Sequence, residues 1–103
     1  VEGLDAAALR TLGDRLREKL GSGVILLGSA FGDKALFLAM VTPDIVKQGI
    51  KAGDIVKVAA QAAGGGGGGR PDMAQAGGRE PAKIDAALEL AVESIKKQLA
   101  AVQ

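Results

Sequence analysis

The sequence predicts an α/β (α+β) domain: a small mixed sheet of about three or more strands, covered by helices. The expected order is helix, strand, strand, helix, helix, short strand, helix. Three observations lead there. One stretch near each end of the chain repeats apolar residues at spacings of three and four, the helical period. Between them lie two short apolar runs rich in branched side chains, separated by a Gly–Asp turn. The length of 103 residues suffices for one domain with a modest core.

Each element has its own justification. Leu9, Leu12, Leu16 and Leu20 share one helical face, with Asp5 as the N-cap and Gly21 and Gly23 as the stop. Arg10, Asp14 and Arg17 fall on the outward side, at spacings where charges pair on a solvated face. The runs GVILLGS and KALFLAMV read as two strands joined by a tight turn at Gly32–Asp33. Both are nearly continuous rather than alternating, so both faces of their sheet are expected to be covered. TPDIVKQG reads as one or two helical turns capped by Thr42 or Asp44, and GDIVKVAAQAAG as a helix opened by Asp54 and closed by Gly64. DMAQAGG is too short for a helix and reads as an extended segment added to the sheet. The last helix carries Pro81 in its first turn and the stripe Ile84, Leu88, Ala91, Ile95, Leu99 and Val102. Asp85 and Glu89 lie early and Lys96 and Lys97 late, as the helix dipole favours.

Composition excludes many chemistries. There is no Cys and no His, which removes disulfides, thiolate chemistry, the usual zinc sites and imidazole catalysis. Ser22, Ser29 and Ser94 therefore have no histidine to activate them, and Asp33, Asp44, Asp54 and Asp72 sit at turns and caps. No catalytic residue, metal ligand or cofactor is assigned within the segment. Met40 and Met73 read as packing residues. Net charge is +1, so any contact with nucleic acid has to come from a local patch. The apolar runs are too short to cross a bilayer, and the first residues lack the layout of a signal peptide. The absence of cysteine fits a reducing compartment, and a cytoplasmic location is expected. The chain opens on Val1 and reads as a fragment of something longer.

The stretch GGGGGGRPDMAQAGG, residues 64–78, is the candidate site. Gly64, Gly66 and Gly69 satisfy G-x-G-x-x-G, but six glycines satisfy almost any glycine pattern. A helix precedes the run and none opens after it, the wrong context for a dinucleotide loop. Arg70 and Pro71 stand where a Walker loop has Lys and Ser or Thr. A free linker fits poorly, because the runs on both sides look like core. Two readings stay open. Bare glycine N–H groups can converge on a phosphate or another backbone, with the Arg70 guanidinium at the rim. Or glycine is there only because a loop passes close to the sheet or takes positive φ.

The combined pattern is more specific than its glycines. GGGGGGRPDMAQAGG, preceded by KAGDIVKVAAQAAG and followed by a long amphipathic helix, resembles the signature of the C-terminal, DHHA1-type domain of alanyl-tRNA synthetase. LGDRLREKLGSGVILLGS and ALFLAMVTPDIVKQGIKAGDIV resemble the upstream part of that domain, so the likeness covers nearly the whole chain. The resemblance implies one globular domain over residues 1–103, with Val1–Leu4 as the end of a connector. It implies a non-catalytic module that contacts the outer corner of tRNA(Ala) and helps couple aminoacylation with editing of mischarged tRNA. ATP, magnesium and zinc would then belong to other domains of the parent ligase. Expected partners are tRNA(Ala), those domains and a second copy of the chain, with no membrane. The expected RNA contacts are Gly64, Gly65, Gly66, Gly67, Gly68, Gly69, Arg70, Gln75, Gly77 and Gly78. Two rivals accompany this reading: a structural or dimerisation module, and the nucleic-acid-binding end of a DHH-type phosphoesterase.

Overall fold

The computed structural model describes residues 5–102, with side chains as far as residue 98. Val1–Leu4 lie outside the described residues, and so do the side chains of Leu99 and Val102. Helix α1 (Ala6–Leu20) leads into the hairpin β1 (Val24–Phe31) and β2 (Lys34–Val41). A single turn, α2 (Pro43–Val46), precedes helix α3 (Ala52–Ala62). A second hairpin follows, β3 (Gly66–Gly69) and β4 (Met73–Gly78), and a 3₁₀ turn at Pro81–Lys83 opens helix α4 (Ile84–Val102).

The strands form one four-stranded sheet in the order β1-β2-β4-β3. Every pairing is antiparallel, which corrects the mixed sheet expected from the sequence. The extra strand is the glycine run itself. It turns back on β4 as a hairpin, so no crossover is needed to deliver a parallel neighbour.

Alternation along the strands divides the core in two. On one face Ala35, Phe37, Ala39 and Val41 of β2 and Ala74 of β4 lie under Ile55, Val56, Ala59 and Ala60 of α3 and Ala87 and Ala91 of α4. Phe37 is the largest side chain there, and burying it contributes about 1.5–3 kcal/mol. On the other face Ile25, Leu38 and Met40 pack under Leu9 of α1, with Leu27, Leu36 and Met73 around them. Both faces are covered, as the continuous apolar runs imply, and both methionines pack. The α1 stripe outruns its cover, however: Leu9 is buried, but Leu16 and Leu20 are 37% and 45% exposed.

Caps and turns follow local chemistry. The Asp5 carboxylate accepts from the Ala8 N–H at 2.8 Å, and Gly21 ends α1 at φ 76°. Gly32 takes φ 63° in the β1–β2 turn. Helix α3 is opened by Lys51 rather than Asp54, which lies in the first turn and meets the positive end of the dipole. Its start is fixed by tertiary contact instead, because Ala52 N–H donates to the Pro71 carbonyl at 2.8 Å.

One polar knot ties the end of α1 to α2. Thr42 Oγ1 accepts from the Gly23 N–H at 3.0 Å and donates to Asp44 Oδ1 at 2.5 Å, while Ser22 Oγ donates to Asp44 Oδ2. These hydroxyls, Ser22 first and Thr42 second, hold the Asp44 carboxyl below its ordinary value of 3.8. The folded state thus favours the carboxylate. Its contribution to stability is complete above the ordinary value and is lost as pH falls through the lowered one. In Ser22→Ala the Asp44 titration, followed by carboxyl NMR, is expected to move up toward the ordinary value; an unmoved midpoint removes Ser22 as the main cause.

The second hairpin is set by how closely α3 approaches it. A Cβ on Gly78 would lie 2.5 Å from the Ala63 carbonyl oxygen, at the C-cap of α3. That carbonyl also accepts from the N–H groups of Arg79 and Glu80 at 2.9 and 3.0 Å, so it has no freedom to withdraw. Gly78→Ala is therefore expected to cost about 1–3 kcal/mol, read as a lower urea midpoint at unchanged slope.

Candidate functional site

The glycine run is ordered backbone, with four of its residues in β3 at the edge of the sheet. Its members divide by face. A Cβ on Gly67 would come within 2.6 Å of the Ala76 Cβ, and one on Gly69 within 2.8 Å of the Ala74 Cα. One on Gly65 would lie 2.0 Å from the Gly77 carbonyl oxygen. Gly64 and Gly67 also take φ of +79° and +155°, where a side chain is strained. Real Cβ atoms do not approach so closely, so these positions are glycine because the fold closes there.

Gly66 and Gly68 are different. A Cβ on either would meet nothing within 4 Å, and neither has a left-handed φ. Gly77, the partner of Gly66 in the register, would place its Cβ no nearer than 3.4 Å to any neighbour. The fold does not require glycine at these three positions. Together they leave a strip of sheet on which backbone is exposed without side chains, on the face that also carries α1.

Beside this strip, at the end of the sheet, lies a shallow cleft of about 280 Å³. It is lined by Lys34, Leu36, Gly64, Gly65, Gly77 and Arg79, together with Ala35 and Gly78. Four of the sequence-predicted residues meet here. Arg70 does not join them: it lies in the turn at the opposite end of the hairpin, 69% exposed, with its Nε 3.5 Å from Asp72 Oδ1. An exposed pair of this kind holds the side chain weakly and leaves it free to exchange partners. Gln75 faces α1, where its Nε2 donates to the Ala6 carbonyl at 3.1 Å. Its amide is thus engaged in docking the helix. Sequence reasoning misses Lys34 and Arg79. They lie 45 residues apart in number (79 − 34) and reach one cleft only because β2 and β4 are paired.

Comparison with known proteins gives this arrangement a family. The DHHA1 domain model matches residues 1–97. The chain belongs to the DHHA1 domain family. Among solved structures, this DHHA1 domain is similar to the C-Ala domain of Aquifex aeolicus alanyl-tRNA synthetase, with a TM-score of 0.80 and 35% identity. That match covers 89% of this chain and 82% of the other. It also resembles a chain described as a DHH domain from a family of ribosomal proteins, with a TM-score of 0.51 and 26% identity over 80% of this chain and 19% of that one. Curated relatives include the alanine–tRNA ligases of Acetivibrio thermocellus, 59% identical over 93% of this chain, and Natranaerobius thermophilus, 54% identical over 92%. The DHHA1 domain spans about a tenth (11%) of the length of those ligases. None of its described helices is long and apolar enough to cross a membrane.

The split within the glycine run is directly testable. Gly66→Ala and Gly68→Ala are expected to stabilise the isolated fold by about 0.4–1 kcal/mol, because alanine restricts the unfolded chain and meets no obstacle in the folded one. Gly67→Ala is expected to destabilise it by about 1–3 kcal/mol. Parallel urea melts of the three variants check this, and equal melts would show that the two faces are packed alike.

Proposed function

We propose that this domain is the RNA-facing end of an alanine–tRNA ligase, and that it contacts the outer corner of tRNA(Ala) through the exposed face of the β3–β4 hairpin. The observation that carries the reading is the side-chain-free strip at Gly66, Gly68 and Gly77, where glycine stands although the fold would accept a methyl group. Bare backbone allows the closest approach to a sugar–phosphate chain and presents N–H and C=O groups to it. Membership of the DHHA1 family, the C-Ala fold and the identity to alanine–tRNA ligases support the same reading.

The composition sets the style of recognition. With Phe31 and Phe37 as the only aromatics and Phe37 buried, a stacking platform for single-stranded RNA is not built here. Folded RNA is read by shape, through its backbone and exposed loop. On this reading the domain carries no catalytic group, and ATP, magnesium and zinc belong to the rest of a cytoplasmic ligase. Its task is to hold one tRNA while aminoacylation and editing act in turn. Tethering makes even a weak contact effective, since it raises the local concentration of the RNA.

The test is made in the full-length ligase. Removing this domain is expected to weaken tRNA(Ala) binding and to slow deacylation of mischarged tRNA. Arg70→Ala is expected to lower affinity and to flatten the slope of log K against log salt by about one. An unchanged affinity after removal of the domain would reject the RNA reading, whereas an unchanged slope in Arg70→Ala alone would remove only that residue from the footprint.

A further inference from the structure

The end-of-sheet cleft is lined by two cations, Lys34 and Arg79, that form no ion pair among the described residues. Strand β2 pairs with β4 from Met40↔Met73 to Ala35↔Gly78. Lys34 opens β2 and Arg79 follows the last residue of β4, and both line the cleft. The period of two places Lys34 on the face that carries Leu36. Like charges gathered at one cleft repel unless an anion lies between them. Neither cation has an ion pair among the described residues: the pairs present are Arg70–Asp72 and Lys83–Glu80. Glu80, whose carboxylate lies beside Gly64, is taken up by Lys83 at 3.4 Å. Asp33, in the adjoining turn, is the remaining nearby acid, and it forms no bridge to either cation among the described residues.

Between the two cations lies the floor of the cleft. Leu36 supplies an apolar wall, and Gly64, Gly65 and Gly77 supply backbone without side chains. The space of about 280 Å³ is at the small end of ligand-sized clefts. Its chemistry suits a ligand with a flat ring and an attached anion. The ring would lie over Gly77 against Leu36, and the anion between the Lys34 ammonium and the Arg79 guanidinium, which offers a planar fork of donors to phosphate.

We propose that this cleft is a nucleotide subsite: one phosphate of the bound RNA bridges Lys34 and Arg79, and the base or sugar attached to it rests on the Gly77 floor. The inference rests on the RNA reading above and extends it, adding two cations to the footprint at the end of the hairpin away from Arg70. It also assigns a reason to Gly77, whose Cβ the fold would accept but the cleft would not.

The experiment measures tRNA(Ala) binding to the full-length ligase as a function of salt, with thermal melts of each variant as the folding control. Lys34→Ala/Arg79→Ala is expected to lower the slope of log K against log salt by about two, one for each cation. Lys34→Arg/Arg79→Lys, which keeps both charges, is expected to retain the slope. Gly77→Ala is expected to weaken binding about tenfold at an unchanged slope, as befits lost contact with a ring rather than lost charge. Wild-type slope in the double alanine variant, or wild-type affinity in Gly77→Ala, overturns the subsite while the RNA reading stands. If deleting the whole domain leaves tRNA binding untouched, both readings fall together.

Discussion

The architecture depends on one close contact, that of helix α3 with the second hairpin. Small residues on both sides make it possible. Ala52, Ala59, Ala60 and Ala63 have no side chain beyond Cβ to hold the helix away, and Gly67, Gly69 and Gly78 present none to receive it. Even inside the helix, a Cβ on Gly53 would come to 3.1 Å from the Gly69 carbonyl oxygen. The contact is thus a backbone-to-backbone approach, in which steric exclusion selects glycine and alanine more strongly than hydrophobicity does. Hydrogen bonds close it at both ends, from Ala52 N–H to the Pro71 carbonyl and from Arg79 and Glu80 N–H to that of Ala63.

That contact explains why some elements are legible in the sequence and others are not. Helices α1 and α4 and the β1–β2 hairpin are legible because their signals are local: the leucine period, the Asp5 cap, and branched runs around Gly32 and Asp33. Strand β3 is not, because four glycines carry no strand propensity and no pattern. It is a strand only because β4 pairs with it and α3 closes over it. The same cause hides the start of α3. Asp54 looks like a cap, but the boundary is set by a bond to Pro71, a partner far along the chain. Leu16 and Leu20 show the converse error, since periodicity marks a helical face without saying how much of it the sheet will cover.

The candidate site is legible as a stretch but not as a surface. Composition singles out Gly64–Gly78, yet it assigns every glycine one role. Alternation across β3 separates those that the fold needs, such as Gly65 and Gly67, from Gly66 and Gly68, which it does not. The sequence places Gln75 among the RNA contacts, whereas in the fold its amide anchors α1 through Ala6. Lys34 and Arg79 carry no motif. Their relation appears only when the β2–β4 register is known, because a pairing of distant strands leaves no short-range trace in the sequence.

The glycine edge also has a dynamic consequence. Glycine gives up more conformational freedom on ordering than any other residue, so β3 is the part of the sheet with the least stability of its own. It is held on one side by β4 and on one face by α3, with every residue exposed. Its amides are therefore expected to open below the free energy of global unfolding. A surface built on such a segment adjusts at little cost to what it meets, and whatever settles on it adds a third hold beside those of β4 and α3.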